Sequence, residues 1–266
     1  MKPPAFAYRR PESLAEALDV LAQAGDEARP LAGGQSLVPL LAMRLARPGL
    51  VVDLQRVPEL RGIEVRPGLL RAGAMTREAE LERAAGLPEV VAAALPHVGH
   101  FQIRSRGTVG GSLAHMDPAA EWPALALLLD AELEAASVRG RRTIAAADFA
   151  LGPLTTALEP DELLVSLTLR GAGGPFGFWE VERRPGDFAL VGAACHAGRV
   201  VVFATGGRPQ RLARCEAHLG QGGGPGPELL ALAEAEIEAT GDVHVSAAYR
   251  RRVGARLVDR AVAAAA

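Results

Sequence analysis

Apolar and polar positions alternate along the chain with two distinct periods, and the elements follow from them. Leu14, Ala17, Leu18 and Leu21 recur at helical spacing and predict an amphipathic helix. Ser13 and Glu16 in front of it read as a capping box, and Gly25 as its stop. Next come an extended segment at Arg29–Ala32, a glycine turn, an apolar segment from Leu37 to Leu45 and a strand at Leu50–Leu54. The breakers Pro58, Gly62, Pro67 and Gly68 then predict hairpins and turns. A strand is expected at Leu69–Gly73, a helix capped by Thr76 and reaching about Ala85, and another helix at Pro88–Pro96. His97–His115 reads as a long irregular stretch. Asp117 and Pro118 are the N-cap and first turn of a helix to about Leu129. Strands are expected at Glu132–Val138, Arg142–Ala145, Leu163–Leu169, Phe178–Glu182, Leu190–His196 and Val200–Thr205. Helices close the chain at Pro227–Ala239 and Ala247–Ala264, with Arg250, Arg251, Arg252, Arg256 and Arg260 read as a solvated face of the last one.

Two breaker-rich segments punctuate this pattern. Gly171–Pro175 is the strongest boundary signal, and Gly220–Gly226 reads as a second flexible stretch. The expected organisation is a unit over 1–172, itself divided at about residue 54 into 1–54 and 55–172, followed by a smaller unit over 173–266.

Composition narrows the class. The chain has 266 residues, of which 49% are hydrophobic and 23% charged, enough apolar material for a core of substance. The formal net charge is −2, so no basic excess points to nucleic acid or an anionic membrane. Lys2 is the only lysine, and a phosphate-binding loop of the GxxxxGK type is therefore excluded. Cys195 and Cys215 are too few and too far apart for an iron–sulfur cluster, which takes about four thiolates, and they form no disulfide framework. No apolar run of signal-peptide or membrane-spanning length is present, and a cytoplasmic protein is the expectation.

The candidate chemistry lies in two glycine pairs, Ala32-Gly33-Gly34-Gln35-Ser36 and Thr108-Val109-Gly110-Gly111-Ser112. Glycine lets a backbone approach a diphosphate closely, and consecutive amides in such a turn form an anion-binding nest. Ser36, Thr108 and Ser112 add hydroxyl donors. Two such turns could clamp a dinucleotide without a lysine; taken singly, each could equally be an ordinary tight turn. There is no GxGxxG for a Rossmann site and no GxSxG for a hydrolase elbow. His97 and His100 lack a third ligand and read as hydrogen-bonding residues of a loop.

These residues carry a resemblance. Leu31-Ala32-Gly33-Gly34-Gln35-Ser36-Leu37-Val38-Pro39-Leu40, with Arg44–Pro48 and Val52-Asp53-Leu54 behind it, resembles the first FAD loop of the medium subunits of carbon monoxide dehydrogenase. Gln102–His115, containing Thr108-Val109-Gly110-Gly111-Ser112, resembles that family's second loop. Asp117–Glu121 and Arg183-Arg184-Pro185-Gly186-Asp187-Phe188-Ala189 extend the likeness from about Phe6 to Arg260.

The resemblance implies an α+β protein: a two-subdomain FAD-binding fold of the vanillyl-alcohol-oxidase type, followed by a smaller C-terminal α+β domain. It implies that Leu31, Ala32, Gly33, Gly34, Gln35, Ser36 and Leu37, with Thr108, Val109, Gly110, Gly111 and Ser112, hold the diphosphate and ribityl portion of FAD. By similarity to xanthine dehydrogenase, Glu121 contacts the adenosine end, and Leu164 meets the cofactor through its backbone. Phe188 stands where relatives often carry a tyrosine near the flavin, and Met116 and Trp122 replace smaller residues beside the second loop. The implied role is electron transfer within a molybdenum hydroxylase. A large molybdopterin subunit oxidises the substrate, and a small subunit with [2Fe-2S] clusters passes electrons on. This flavoprotein subunit delivers them to NAD+, a quinone or dioxygen, in a dimer of heterotrimers. The alternatives are a self-contained FAD oxidoreductase of the same superfold, a scaffold subunit that has lost FAD, and a domain using the loops for another phosphate ligand.

Overall fold

The computed structural model describes residues 2–266. In chain order its elements are β1 (Ala7–Arg9), α1 (Leu14–Ala24), β2 (Ala28–Leu31), α2 (Leu37–Ala42), β3 (Leu50–Asp53), β4 (Ile63–Arg66) and β5 (Leu69–Gly73). The helices α3 (Glu78–Leu81), α4 (Glu89–Ala94), α5 (Phe101–Arg104), α6 (Val109–His115) and α7 (Glu121–Leu128) follow. Then come β6 (Glu132–Ser137), β7 (Gly140–Ala145), α8 (Ala146–Phe149), β8 (Ala150–Gly152), β9 (Thr155–Thr156) and β10 (Leu163–Arg170). The last part holds β11 (Phe176–Glu182), β12 (Ala189–His196), β13 (Arg199–Phe203), β14 (Gln210–Arg211), α9 (Ala213–Gly220), α10 (Pro227–Glu236) and α11 (Ala247–Ala264).

Three larger sheets and a two-stranded ribbon, β8-β9, organise these elements. A small sheet has the order β1-β3-β2, with both pairings parallel, and lies wholly before residue 54. A five-stranded sheet, β4-β5-β10-β6-β7, is antiparallel, with β10 at its centre. The third, β11-β12-β13-β14, is an antiparallel meander.

Packing follows from the apolar periods. Leu14, Ala17, Leu18 and Leu21 of α1 are all buried, as their spacing requires. They meet Val52 and Leu54, and also Ala136, Leu163 and Val165 of the five-stranded sheet, so the first two sheets share one core. In the third sheet, successive side chains go to opposite faces. Val191, Ala193, Cys195, Val200 and Val202 pack beneath α10 and α11, while Ala194, Val201 and Phe203 join the core around α7. Burial on both faces is why β12 and β13 read as almost unbroken apolar runs.

Several expectations are corrected. The Glu16 carboxylate accepts from the N–H of Glu12 and not of Ser13, although Ser13 Oγ does accept from Glu16. Thr76 caps no helix: its hydroxyl donates to the Gly62 carbonyl at 3.0 Å, tying β5 to the turn before β4, and α3 is a single turn. The stretch His97–His115 is not irregular, since it holds α5 and α6. The low helix propensity of Gly110 and Gly111 is overridden by the Thr108 cap and by burial of Val109 and Leu113. Asp117 accepts from the Ala119 N–H at 2.9 Å and shapes a turn, so α7 begins later, at Glu121. The polar stretch after Leu212 forms α9, whose only fully buried side chain is Cys215.

Both glycine-rich segments are fastened. The His196 imidazole lies 3.1 Å from the Pro175 carbonyl and 3.0 Å from that of Gly171. The Gly226 N–H donates to Asp259 at 2.6 Å. Nor is the arginine face of α11 uniformly solvated. Arg250 is buried, donating to the carbonyls of Leu190 and Thr240 and to Asp242, and Arg260 lies 3.8 Å over the ring of Trp179.

Candidate functional site

The first glycine turn leaves β2 at its carboxyl end and enters α2. Gly34 has φ +78, which a residue with a Cβ rarely adopts. The turn's carbonyls are used from behind: Gln55 Nε2 donates to the Ala32 carbonyl and Gln35 Nε2 to that of Gly33, each at 3.2 Å. Its donors are not used. The five successive N–H groups of Gly33, Gly34, Gln35, Ser36 and Leu37 have no acceptor within the protein. Unpaired amides in a partly buried turn are costly unless something accepts from them, and a run of them on one turn is an anion cradle.

The second turn is built differently. Its amides are spent internally: Val109 donates to the Thr76 carbonyl, Gly110 to Ala74, Gly111 to Thr108 Oγ1 and Ser112 to the Thr108 carbonyl. The expectation of two equivalent amide nests is therefore corrected. What the second turn offers is close approach and hydroxyls. Gly110 is pressed onto β5's exit, where a Cβ would lie 2.4 Å from the Cβ of Ala74. Gly111 faces the first turn, where a Cβ would lie 3.3 Å from that of Ala32. A Cβ on Gly33 would meet the Arg106 carbonyl oxygen at 2.2 Å. The fold thus seats the two turns against each other across about 75 residues of intervening chain, with Ser36, Thr108 and Ser112 beside them.

The remaining sequence candidates lie on other elements. Glu121 opens α7 and is 5% exposed. Burial pushes its carboxyl up to about 8, and the carboxyls of Glu180, Glu78 and Asp117 push the same way. At neutral pH it is largely the neutral acid. Leu164 lies in β10, opposite Ala135, immediately before the register shift at Ser166. Its side chain belongs to the main core, so only its backbone is free for another role. Leu31 ends β2 and Leu37 opens α2, so they bracket the cradle. Met116 and Trp122 are both fully buried and pack in the core, not on a cofactor-facing surface. Phe188 is 65% exposed on the segment joining β11 to β12.

Sequence reasoning missed two acidic groups and the partner of His97. Glu78 and Glu180 are buried carboxyls with oxygens lacking a hydrogen-bond partner, and burial raises both. For Glu78 the value reaches about 8. His97 Nδ1 lies 3.3 Å from Glu180 and is raised by that carboxylate. No spacing rule would have paired them, because they come from α3, β11 and the turn after α4. The two thiols are inert by burial, which pushes Cys195 to about 11 and Cys215 to about 12. Among the described residues no helix is long and apolar enough to cross a membrane.

Comparison with known proteins identifies the family. Residues 4–169 match the family model described as the FAD binding domain in molybdopterin dehydrogenase. The chain is 37% identical to the 6-hydroxypseudooxynicotine dehydrogenase complex subunit alpha of Paenarthrobacter nicotinovorans, across 100% of this chain and 96% of that one. It is 38% identical to the carbon monoxide dehydrogenase medium chain of Hydrogenophaga pseudoflava, across 73% of this chain and 69% of that one. Among solved structures, quinoline 2-oxidoreductase from Pseudomonas putida 86 superposes with a TM-score of 0.91 at 36% identity, covering 100% of this chain and 98% of that one. With both turns in place and the whole chain aligned, this protein belongs to the FAD-binding medium subunits of the molybdenum hydroxylase family, subunits of oxidoreductase complexes.

Proposed function

We propose that this subunit holds FAD at the junction of the two glycine turns and works as an electron-transfer component. It takes electrons from [2Fe-2S] clusters in a small partner subunit and hands them to NAD+, a quinone or dioxygen. A large molybdopterin subunit carries out substrate oxidation. The assembly we expect is a cytoplasmic dimer of heterotrimers; the relatives named as a complex subunit and a medium chain support a multi-subunit complex. FAD, when bound, supplies the redox chemistry.

The observation that carries the reading is the row of unused amides from Gly33 to Leu37. Five unused donors on one turn fit a diphosphate, and the glycines let the two turns pack against each other beside it. The hydroxyls of Ser36, Thr108 and Ser112 add donors at the same junction. Val109, Gly110 and Gly111 set the spacing between the turns. No general acid or base is assigned, because electron relay needs position and not proton transfer from this chain.

The test is the visible spectrum of the complex, with chromatography of the flavin released on denaturation. FAD is expected, one per copy of this chain. Ser36→Asp, which sets a carboxylate among the five amides at a partly exposed position, is expected to lower FAD content sharply without lowering Tm. A well-folded complex that takes up no flavin overturns the reading and favours a scaffold role; substrate turnover by this chain alone would make it a self-contained oxidoreductase.

A further inference from the structure

Behind the two turns lies a group that the cofactor reading does not use. Glu78, the first residue of α3, is 2% exposed, and its Oε2 has no hydrogen-bond partner. That oxygen faces Gly107, where a Cβ would lie only 2.4 Å from it. Gly107 is also the residue against which Gly33 is pressed, with its Cα 2.9 Å from the place a Gly33 Cβ would occupy. Gly33 opens the run of free amides. A carboxyl is thus buried one backbone's thickness behind the donors of the first turn.

Its surroundings do not neutralise it. Arg104 on α5 is the one cation that acts on it, and that guanidinium is engaged by Glu82 and by the Gly99 carbonyl, each at 2.6 Å. Glu82, just past α3, adds a like charge, and Glu121 faces it from α7. The field at the cradle therefore depends on the form of one side chain. As the neutral acid, Glu78 leaves the positive ends of the amides unopposed. As a carboxylate, it puts a full negative charge next to them in a poorly screened interior.

We propose that Glu78 governs how tightly the first turn holds a dinucleotide diphosphate, acting through the Gly107 backbone as a buried electrostatic gate. It is a positioning residue in this sense, touching no ligand itself. The inference rests on the FAD reading above and adds a regulation to it: cofactor affinity falls as the medium becomes alkaline. Burial sets the range, since it holds the Glu78 carboxyl at about 8.

The experiment measures FAD dissociation by flavin fluorescence on the flavin-stripped complex between pH 6.5 and 9.5. The wild type is expected to lose roughly tenfold in affinity across that range, the order expected for a unit charge acting at close range. Glu78→Gln, which keeps the shape but cannot ionise, is expected to bind as tightly at high pH as at low. Glu78→Leu is expected to give the same flat profile should the amide variant melt early. Riboflavin, which lacks the diphosphate, is expected to bind with no pH dependence. A flat wild-type profile, a sloping Glu78→Gln profile or a riboflavin slope equal to that of FAD would each overturn the proposal while leaving FAD binding intact. Absence of FAD binding at every pH removes the cofactor reading and this inference with it.

Discussion

Gly33 and Arg106 stand so close that a Cβ on the glycine would lie 2.2 Å from the arginine's carbonyl oxygen. The contact joins the first glycine turn to the segment leading into the second. The Arg106 carbonyl is backbone and cannot rotate away as a side chain would.

This contact makes Gly33→Ala a sharp test. A methyl group there forces the turns apart, with a cost of about 1–3 kcal/mol for overpacking. At roughly 2–4 °C per kcal/mol for a chain of this size, the expected fall in Tm is several degrees. FAD affinity is expected to fall by at least about tenfold, because the amides move with the turn. A variant with wild-type Tm and wild-type flavin content would show that the turns do not meet as described.

Glu121 predicts a pH dependence of stability. Its folded-state pKa, about 8, lies above its ordinary value of 4.5. An acid raised on folding contributes stability that is fully present below its unfolded value and is lost as pH rises through the folded one. The flavin-free chain should therefore lose stability between pH 4.5 and about 8 on this group's account. Glu121→Gln removes that dependence, so its Tm advantage over wild type is expected to grow from pH 5 to pH 8 and then level off. Melting curves that stay parallel across this window would contradict it.

Arg250 offers a test far from the cofactor junction. Its guanidinium meets the carbonyls of Leu190 and Thr240 at 3.1 and 2.7 Å and Asp242 at 2.6 Å. Arg250→Met keeps much of the stem but leaves the partly buried carbonyls of Leu190 and Thr240 without this donor, for an expected loss of about 1–3 kcal/mol. Hydrogen exchange is expected to rise first at residues 240–246, where Asp242 also accepts from the backbone of His244 and Val245. Unchanged exchange in that segment would place its anchor elsewhere.

Much of this architecture was legible in the order of residues. The buried face of α1, strands β5 and β6, and the long closing helix follow from apolar period, and β12 from an apolar run, because burial of one face imposes a period and burial of both a run. The two glycine turns stood out for a local reason as well: Gly34 has φ +78, and Gly33, Gly110 and Gly111 sit where a Cβ would collide. Their strings carried the family.

What the sequence could not divide was the labour between those turns. Both read alike, yet one keeps five amides free while the other uses those of Val109 to Ser112, since Thr76, Ala74 and Thr108 supply acceptors only in the folded chain. Arg250 read as one more arginine on a solvated face until Leu190, Thr240 and Asp242 closed around it. Glu78 and Glu180 carried no signal at all. A carboxyl becomes a neutral acid through desolvation by residues distant along the chain, and only tertiary packing brings those residues near.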